Sequence, residues 1–381
     1  MKKNLNMQVP QHIRNVCDVL ENAGYSAYIV GGSVRDMLLG VPPADYDIAT
    51  AAKPDMIKSL FCETVSTGEK HGTIGVLSCG TMVEVTTFRA DGTYTDHRRP
   101  DTVHFLDDIS ADLARRDFTI NAMAYHLQHG LLDLYGGRDD IKNRILRTVG
   151  VPKERFTEDA LRILRLFRFA ARLNFDIEAE SLQAAISLAD SLRNVAKERV
   201  FTELRETVLH VLPSLLKRME PIFAFVLPEA LPLTDTKCAL AAKCQAEAGK
   251  WAILCGDKTE SALSRLSAPK RLRLAAKEFA DYTPGRNLLL DIAKLKYNTP
   301  DAFAAFQGRE DIPRIYEETR KAGLPVSPSE LALSGKELYA MGFRGEQIGA
   351  LLDKLFLYVT ENSVNNNEED LKEAIKKICK K

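Results

Sequence analysis

The sequence has few of the features that mark exported or membrane-embedded chains. Its 381 residues include seven cysteines, at positions 17, 62, 79, 238, 244, 255 and 379. Their number is odd, they are scattered and no CxxC pair occurs, which argues against a disulfide framework. A reducing, cytoplasmic setting is the expectation. No uncharged apolar run is long enough to span a bilayer, so no membrane partner is expected. The stretch MKKNLNMQVPQHIRNV has two lysines but no apolar h-region, so it does not read as a signal peptide. Net charge is also missing: 52 Lys and Arg balance 52 Asp and Glu, so total charge identifies no polyanionic partner. None of the seven histidines precedes an aspartate, which excludes an HD phosphohydrolase motif. Gly335-Lys336 lacks the upstream glycine and the following Ser or Thr of a P-loop.

What is present is a chain long enough for two to four domains, with 45% hydrophobic residues to fill their cores. Charge is uneven locally. Between positions 142 and 172, nine lysines and arginines face Glu154, Glu158 and Asp159, a basic stripe suited to phosphate or nucleic acid. Periodicity predicts a helix over 11–23, a strand over Tyr25–Val30, a helix over 34–39 capped by Ser33 and a strand at Tyr46–Ile48. A hairpin is expected from Thr73–Ser78 and Met82–Phe88 around Cys79-Gly80, and a strand at Leu131–Leu134. Residues 90–101 have turn composition. After Pro152 strand signals vanish. Helical periods follow over 157–173, 178–190, 200–218, 260–282, 287–296, 302–322 and 345–359, with a last helix over 368–378.

Three clusters carry chemistry. In Gly31-Gly32-Ser33-Val34-Arg35, a glycine pair ends a strand and opens a helix, so backbone N–H groups can face an anion. Asp45 and Asp47 follow. At i and i+2 on a strand their carboxylates share a face, and two such charges need a cation between them. Mg²⁺ suits oxygen ligands of this kind. Glu84, in the alternating Met82–Thr86, is a third carboxylate if that strand lies beside the aspartates. The second cluster is Arg115-Arg116-Asp117-Phe118-Thr119-Ile120-Asn121. Either Arg116 grips a triphosphate, with Asp117 and Asn121 near the sugar, or Asp117 caps a helix and the arginines are exposed. The third places Asp159, Arg162, Arg165 and Arg168 at three-residue spacing beside an apolar stripe. Either this is a solvated face with Asp–Arg pairing, or Asp159 accepts and Arg162 donates to a base edge. Cytosine and adenine match that polarity; uracil and guanine reverse it.

These clusters, with TGEKHGTIGV, EVTTFR, DLYGGRDDI and RFTEDALRILRLFRFAARL between Tyr28 and Phe175, resemble the class II tRNA nucleotidyltransferases. These are the CCA-adding enzymes of the polymerase β superfamily. The resemblance is fainter from Ser334 to Lys376. It implies an α+β chain: a polymerase-β-like head of about five strands with helices (1–140), then a helical neck (141–205), body (206–300) and tail (301–381). It implies template-independent addition of CCA to the tRNA acceptor end from CTP and ATP, with attack of the RNA 3′-hydroxyl on the α-phosphate. Asp45 and Asp47 would hold magnesium, with Glu84 as a further catalytic acid. Gly31, Gly32, Arg35 and Arg116 would contact the nucleotide. Asp117 and Asn121 would lie near the ribose, Asp159 and Arg162 would read the base, and Arg165 and Arg168 would support them. His97 departs from a more usual glycine, in a loop of full length; in the family a shortened loop goes with CC-only addition. The resemblance leaves as rivals a bacterial poly(A) polymerase, which shares the head, CC-only or A-only addition, and a silent RNA-binding scaffold.

Overall fold

A computed structural model describes residues 7–91, 103–282, 287–361 and 363–379. Most of the expected loop at 90–101 therefore lies outside the described residues. The chain divides into two compact units: Met1–Thr207 with Ala224–Val226, and Val208–Phe223 with Leu227–Lys381.

The first unit opens with α1 (Gln11–Asn22), whose Ile13, Val16, Cys17 and Leu20 form one buried stripe at helical spacing. Then come β1 (Ala27–Val30), α2 (Gly32–Leu39), β2 (Asp47–Thr50), α3 (Pro54–Leu60), β3 (Thr64–Gly68), β4 (Thr73–Ser78) and β5 (Thr81–Thr87). After these follow β6 (Arg89–Asp91), β7 (Val103–Phe105), α4 (Ile109–Ala114), β8 (Met123–His126), β9 (Gly130–Asp133) and α5 (Gly137–Asn143). Seven strands form one sheet in the order β3-β4-β5-β2-β1-β8-β9, two more than the five or so expected. β6 and β7 pair separately. The added strands escaped notice for physical reasons. Every residue of β8 is buried, so no alternation marks it. β3 is a short Thr/Ser/Gly segment.

The β4–β5 hairpin turns at Cys79 and Gly80, both at positive φ (49° and 77°). That is the primed-turn geometry that matches strand twist. β2 runs parallel to β5 and places Asp47 opposite Glu84; its other pairing, to β1, is antiparallel. One face of the sheet packs Val30, Ala49, Phe88, Ile109, Leu113 and Ala124 together. Ser33 does not cap α2. Gly31 occupies the N-cap, and the Ser33 hydroxyl donates to the Val30 carbonyl at 2.9 Å.

The unit continues with α6 (Pro152–Glu158), α7 (Leu161–Leu173), α8 (Ala179–Ser187) and α9 (Lys197–Leu209). The single helix expected over 157–173 is thus two. The chain breaks at Asp159, whose backbone is extended (φ −140°, ψ 105°).

Among the described residues of the second unit all regular elements are helical. Several expected helices are divided, at 213–218 by Pro213 and between Arg265 and Lys270 by Pro269. Helices at Asp235–Lys243 and Glu247–Cys255 were not foreseen. The second buries seven of its nine residues, including Trp251, so no polar face marks its period. A core of Leu289, Leu333, Leu338, Leu355, Phe356, Val359 and Leu371 gathers the last helices.

Candidate active site

A cleft of about 470 Å³ lies within the first unit. It is lined by Gly31, Gly32, Arg35, Asp47, Arg116, Asp117, Asn121, Asp159, Arg162, Arg165 and Arg168, all named from sequence. Arg115, Leu161, Phe169, Arg172 and Arg199 complete the lining. Asp45 and Glu84 are not part of that lining. They flank Asp47, and both act on its charge.

Asp47 begins β2, and Asp45 precedes the strand rather than sharing it. Crowding by surrounding protein, then the Glu84 and Asp45 carboxylates, push the Asp47 pKa up, and Arg116 offsets them only partly. The acidic neighbours are therefore undercompensated, which suits a cation. Among the described residues no three His, Cys, Asp or Glu side chains already converge as a metal-binding group.

Gly31 joins β1 to α2 at φ 74° and ψ −133°. A Cβ there would stand 2.9 Å from Arg116 Nη1 and 3.8 Å from Asp47 Oδ2. Glycine thus lets the guanidinium approach the turn. The adjacent arginines do have an anion between them: Asp112 of α4, nearly inaccessible to solvent. It accepts from Arg115 Nη2 at 2.7 Å and from Arg116 Nη2 at 3.0 Å. Burial opposes the Asp112 charge, but the two guanidinium groups hold its pKa below the usual carboxylate range. Asp112 sits three and four residues before the pair, a helical spacing that could have identified it.

Asp117 is buried and does not cap a helix. Its Oδ1 accepts from the Phe118 N–H and from Asn121 Nδ2, and its Oδ2 accepts from Arg165 Nε at 2.8 Å. Burial again opposes ionisation, yet Arg165 and Asn121 hold the carboxyl below its ordinary value. Asn121 Oδ1 accepts from Arg35 Nη1 at 2.7 Å.

Asp159 and Arg162 both line the cleft but are not paired through their side chains. Asp159 Oδ1 accepts from the Leu161 N–H, and Oδ2 accepts from Arg199 Nη2 of α9 at 3.1 Å. Arg162 is held by Glu158 and donates to the Arg155 and Arg115 carbonyls, each at 3.1 Å. Arg168 forms an ion pair with Glu203 at 2.7 Å. Burial lowers the arginine's pKa and raises the glutamate's. Arg199, Glu203 and Phe169 were not singled out from sequence. The first two sit in a helix 40 and 35 residues downstream of their partners, where no local pattern connects them.

Residues 27–147 match the family model for the poly A polymerase head domain, and 174–219 match one described as a probable RNA and SrmB-binding site of polymerase A. The chain is 54% identical over 191 residues to the CCA-adding enzyme of Levilactobacillus brevis, which is 50% of this chain and 48% of that one. Matches to several other relatives likewise span about half their length. The CCA-adding enzyme of Ligilactobacillus salivarius is 34% identical over 403 aligned positions, covering 97% of this chain and 98% of that protein. The crystal structure of Bacillus stearothermophilus CCA-adding enzyme in complex with CTP matches all of both chains, with a TM-score of 0.78 and 29% identity.

Proposed function

The chain belongs to the CCA-adding enzymes, and on that premise we propose that it adds the 3′-terminal CCA to tRNA from CTP and ATP without a template. One observation carries this reading. A glycine turn, an acid flanked by acids, and base-reading candidates, spread from position 31 to 168, line a single cleft.

Nucleotidyltransferases of this family use divalent metal ions. Magnesium is the proposed ion, because hard carboxylate oxygens are the donors offered. Asp47 would hold it with Asp45, and Glu84 beside them adds negative charge. When bound, such an ion lowers the pKa of the attacking 3′-hydroxyl and offsets charge building on the phosphates. The remaining work is positioning, as in other phosphoryl transfers. The Gly31 N–H is donated to the Met123 carbonyl, and the N–H groups that open α2, from Gly32 on, face the phosphates. Arg116 and Arg35 approach that turn and grip the triphosphate. Asp117 and Asn121, proposed near the ribose, also anchor Arg165 and Arg35. Asp159 accepts from the exocyclic amine of C or A, and Arg162 donates to the adjacent ring nitrogen. U and G would set acceptor against acceptor and donor against donor, which discriminates strongly. In this proposal residues 1–140 form the catalytic head, 141–205 the neck, and 206–300 and 301–381 the body and tail that hold tRNA.

The test is incubation with tRNA lacking its CCA end, magnesium and each nucleotide alone and in combination. Addition of CCA followed by arrest is expected. Long A tails, partial addition or no incorporation would each overturn the reading.

A further inference from the structure

Phe169 stands where three arginines meet. It lies in α7, is 6% exposed and lines the cleft. Its ring faces the guanidinium carbons of Arg168 at 4.4 Å, Arg35 at 5.4 Å and Arg165 at 5.4 Å. It packs in a T-shaped arrangement with the buried Phe118, ring centres 5.7 Å apart and planes at 78°. The three cations come from two elements, α2 and α7, and each has its own acid: Asp36, Asp117 and Glu203. Each acid holds its guanidinium from the edge and offsets part of its charge, but the three acids lie on different elements and do not draw the three cations to one place. The negative face of an aromatic ring attracts all three and adds negative potential where they meet.

We infer that Phe169 is a positioning residue for the incoming nucleotide: its ring gathers Arg35, Arg165 and Arg168 into one anion-binding array before any ligand arrives. The inference rests on the reading of this cleft as the nucleotide site. A preorganised array leaves fewer side chains to be ordered on binding. The contribution belongs to nucleotide affinity, not to base choice, because Asp159 and Arg162 are held by other partners.

The test compares Phe169→Leu, which keeps apolar bulk without the quadrupole, with Phe169→Tyr, which keeps the ring. For F169L, KM for CTP and for ATP should rise about tenfold, equivalent to about 1.4 kcal/mol. Its kcat should stay within about threefold and its preference for C and A over U and G should be unchanged. F169Y should restore wild-type KM. Equilibrium dialysis with radiolabelled CTP and ATP separates the two levels of the reading. A wild-type protein that binds neither nucleotide sinks the site assignment itself. A wild-type protein that binds them, with an F169L variant that binds equally well, sinks the role of Phe169 alone. A fall in kcat at unchanged KM, or a lower melting temperature as the only change, also overturns it by assigning Phe169 to packing. If F169L loses its helical circular dichroism, F169M takes its place with the same expected and overturning results.

Discussion

Substituting Gly31 by alanine probes the turn, the proposed phosphate cation Arg116 and the proposed metal acid Asp47 together. The added Cβ would meet two obstacles. The backbone there (φ 74°, ψ −133°) is a region that essentially only glycine occupies; forcing an L residue into it costs about 1–3 kcal/mol. The Cβ would also press on Arg116 Nη1 from 2.9 Å. Arg116 has little freedom to yield, because its Nη2 is bound to the buried Asp112 at 3.0 Å. Moving the guanidinium therefore strains that pair or withdraws Arg116 from the proposed phosphate site. A hydrogen bond to a charged group is worth about 1.5–3 kcal/mol. KM for both CTP and ATP should rise between about tenfold and 150-fold. Incorporation of radiolabelled CMP and AMP into tRNA lacking CCA, over a nucleotide titration, measures this. Gly40→Ala is the control: φ there is 73°, but nothing lies within 4 Å of the added carbon. It should lower stability by about 1 kcal/mol and leave KM alone. A G31A enzyme with wild-type KM, or a G40A enzyme impaired as badly as G31A, would refute the reasoning.

Asp47→Asn should abolish incorporation yet stabilise the metal-free protein. The raised Asp47 pKa means that its contribution to stability is present below the unfolded-state value and is lost as pH rises through the folded value. Asp47 is exposed at the strand end, so solvent screens Glu84, and calorimetry in EDTA at pH 7 should find D47N only a few tenths of a kcal/mol, roughly 0.2–0.5, more stable than wild type; a lower melting temperature would contradict this. Asp117→Ala should destabilise by the low end of about 3–5 kcal/mol, since Arg165 keeps part of its side chain in solvent. With the Asp117 pKa depressed, its stabilisation is present above the unfolded-state value and is lost as pH falls through the folded one, so wild type and D117A should converge in acid denaturation. Changing both Asp159 and Arg162 to alanine should admit UTP and GTP while chemistry continues; a double variant with intact C and A selectivity would remove the base-reading assignment. Burial pushes the Cys17 and Cys255 thiols up to about 12, whereas Cys62, Cys79 and Cys379 are exposed. Iodoacetamide should label the latter three first, as peptide mass mapping would reveal, and leave incorporation intact.

Some of this site could be read from local pattern and some could not. The strand–turn–helix at Gly31-Gly32 and the hairpin at Cys79-Gly80 are written in adjacent residues, because glycine and turn chemistry act over two or three positions. Asp112 was also within local reach, at helical spacing from Arg115 and Arg116. The continuous helix expected over 157–173 was misread for the opposite reason. Regular three-residue spacing suggested a continuous helix, but an extended residue at Asp159 turns its carboxylate to the Leu161 N–H and to Arg199. Buried elements such as β8 and the Trp251 helix lack the alternation between wet and dry faces on which pattern reading depends.

What no local pattern could supply is how eight arginines are held around one cleft. The partners answer this. Arg35 and Arg116 take acids within four residues, whereas Arg165, Arg168 and Arg199 take acids 48, 35 and 40 residues away. Each guanidinium carries five N–H donors, and a single carboxylate engages only one or two of them. The acids therefore secure the cations without exhausting their donors. That division lets a neutral protein carry a strongly basic cleft, and it explains why removing a supporting acid should harm folding while removing a cleft arginine should harm nucleotide affinity first.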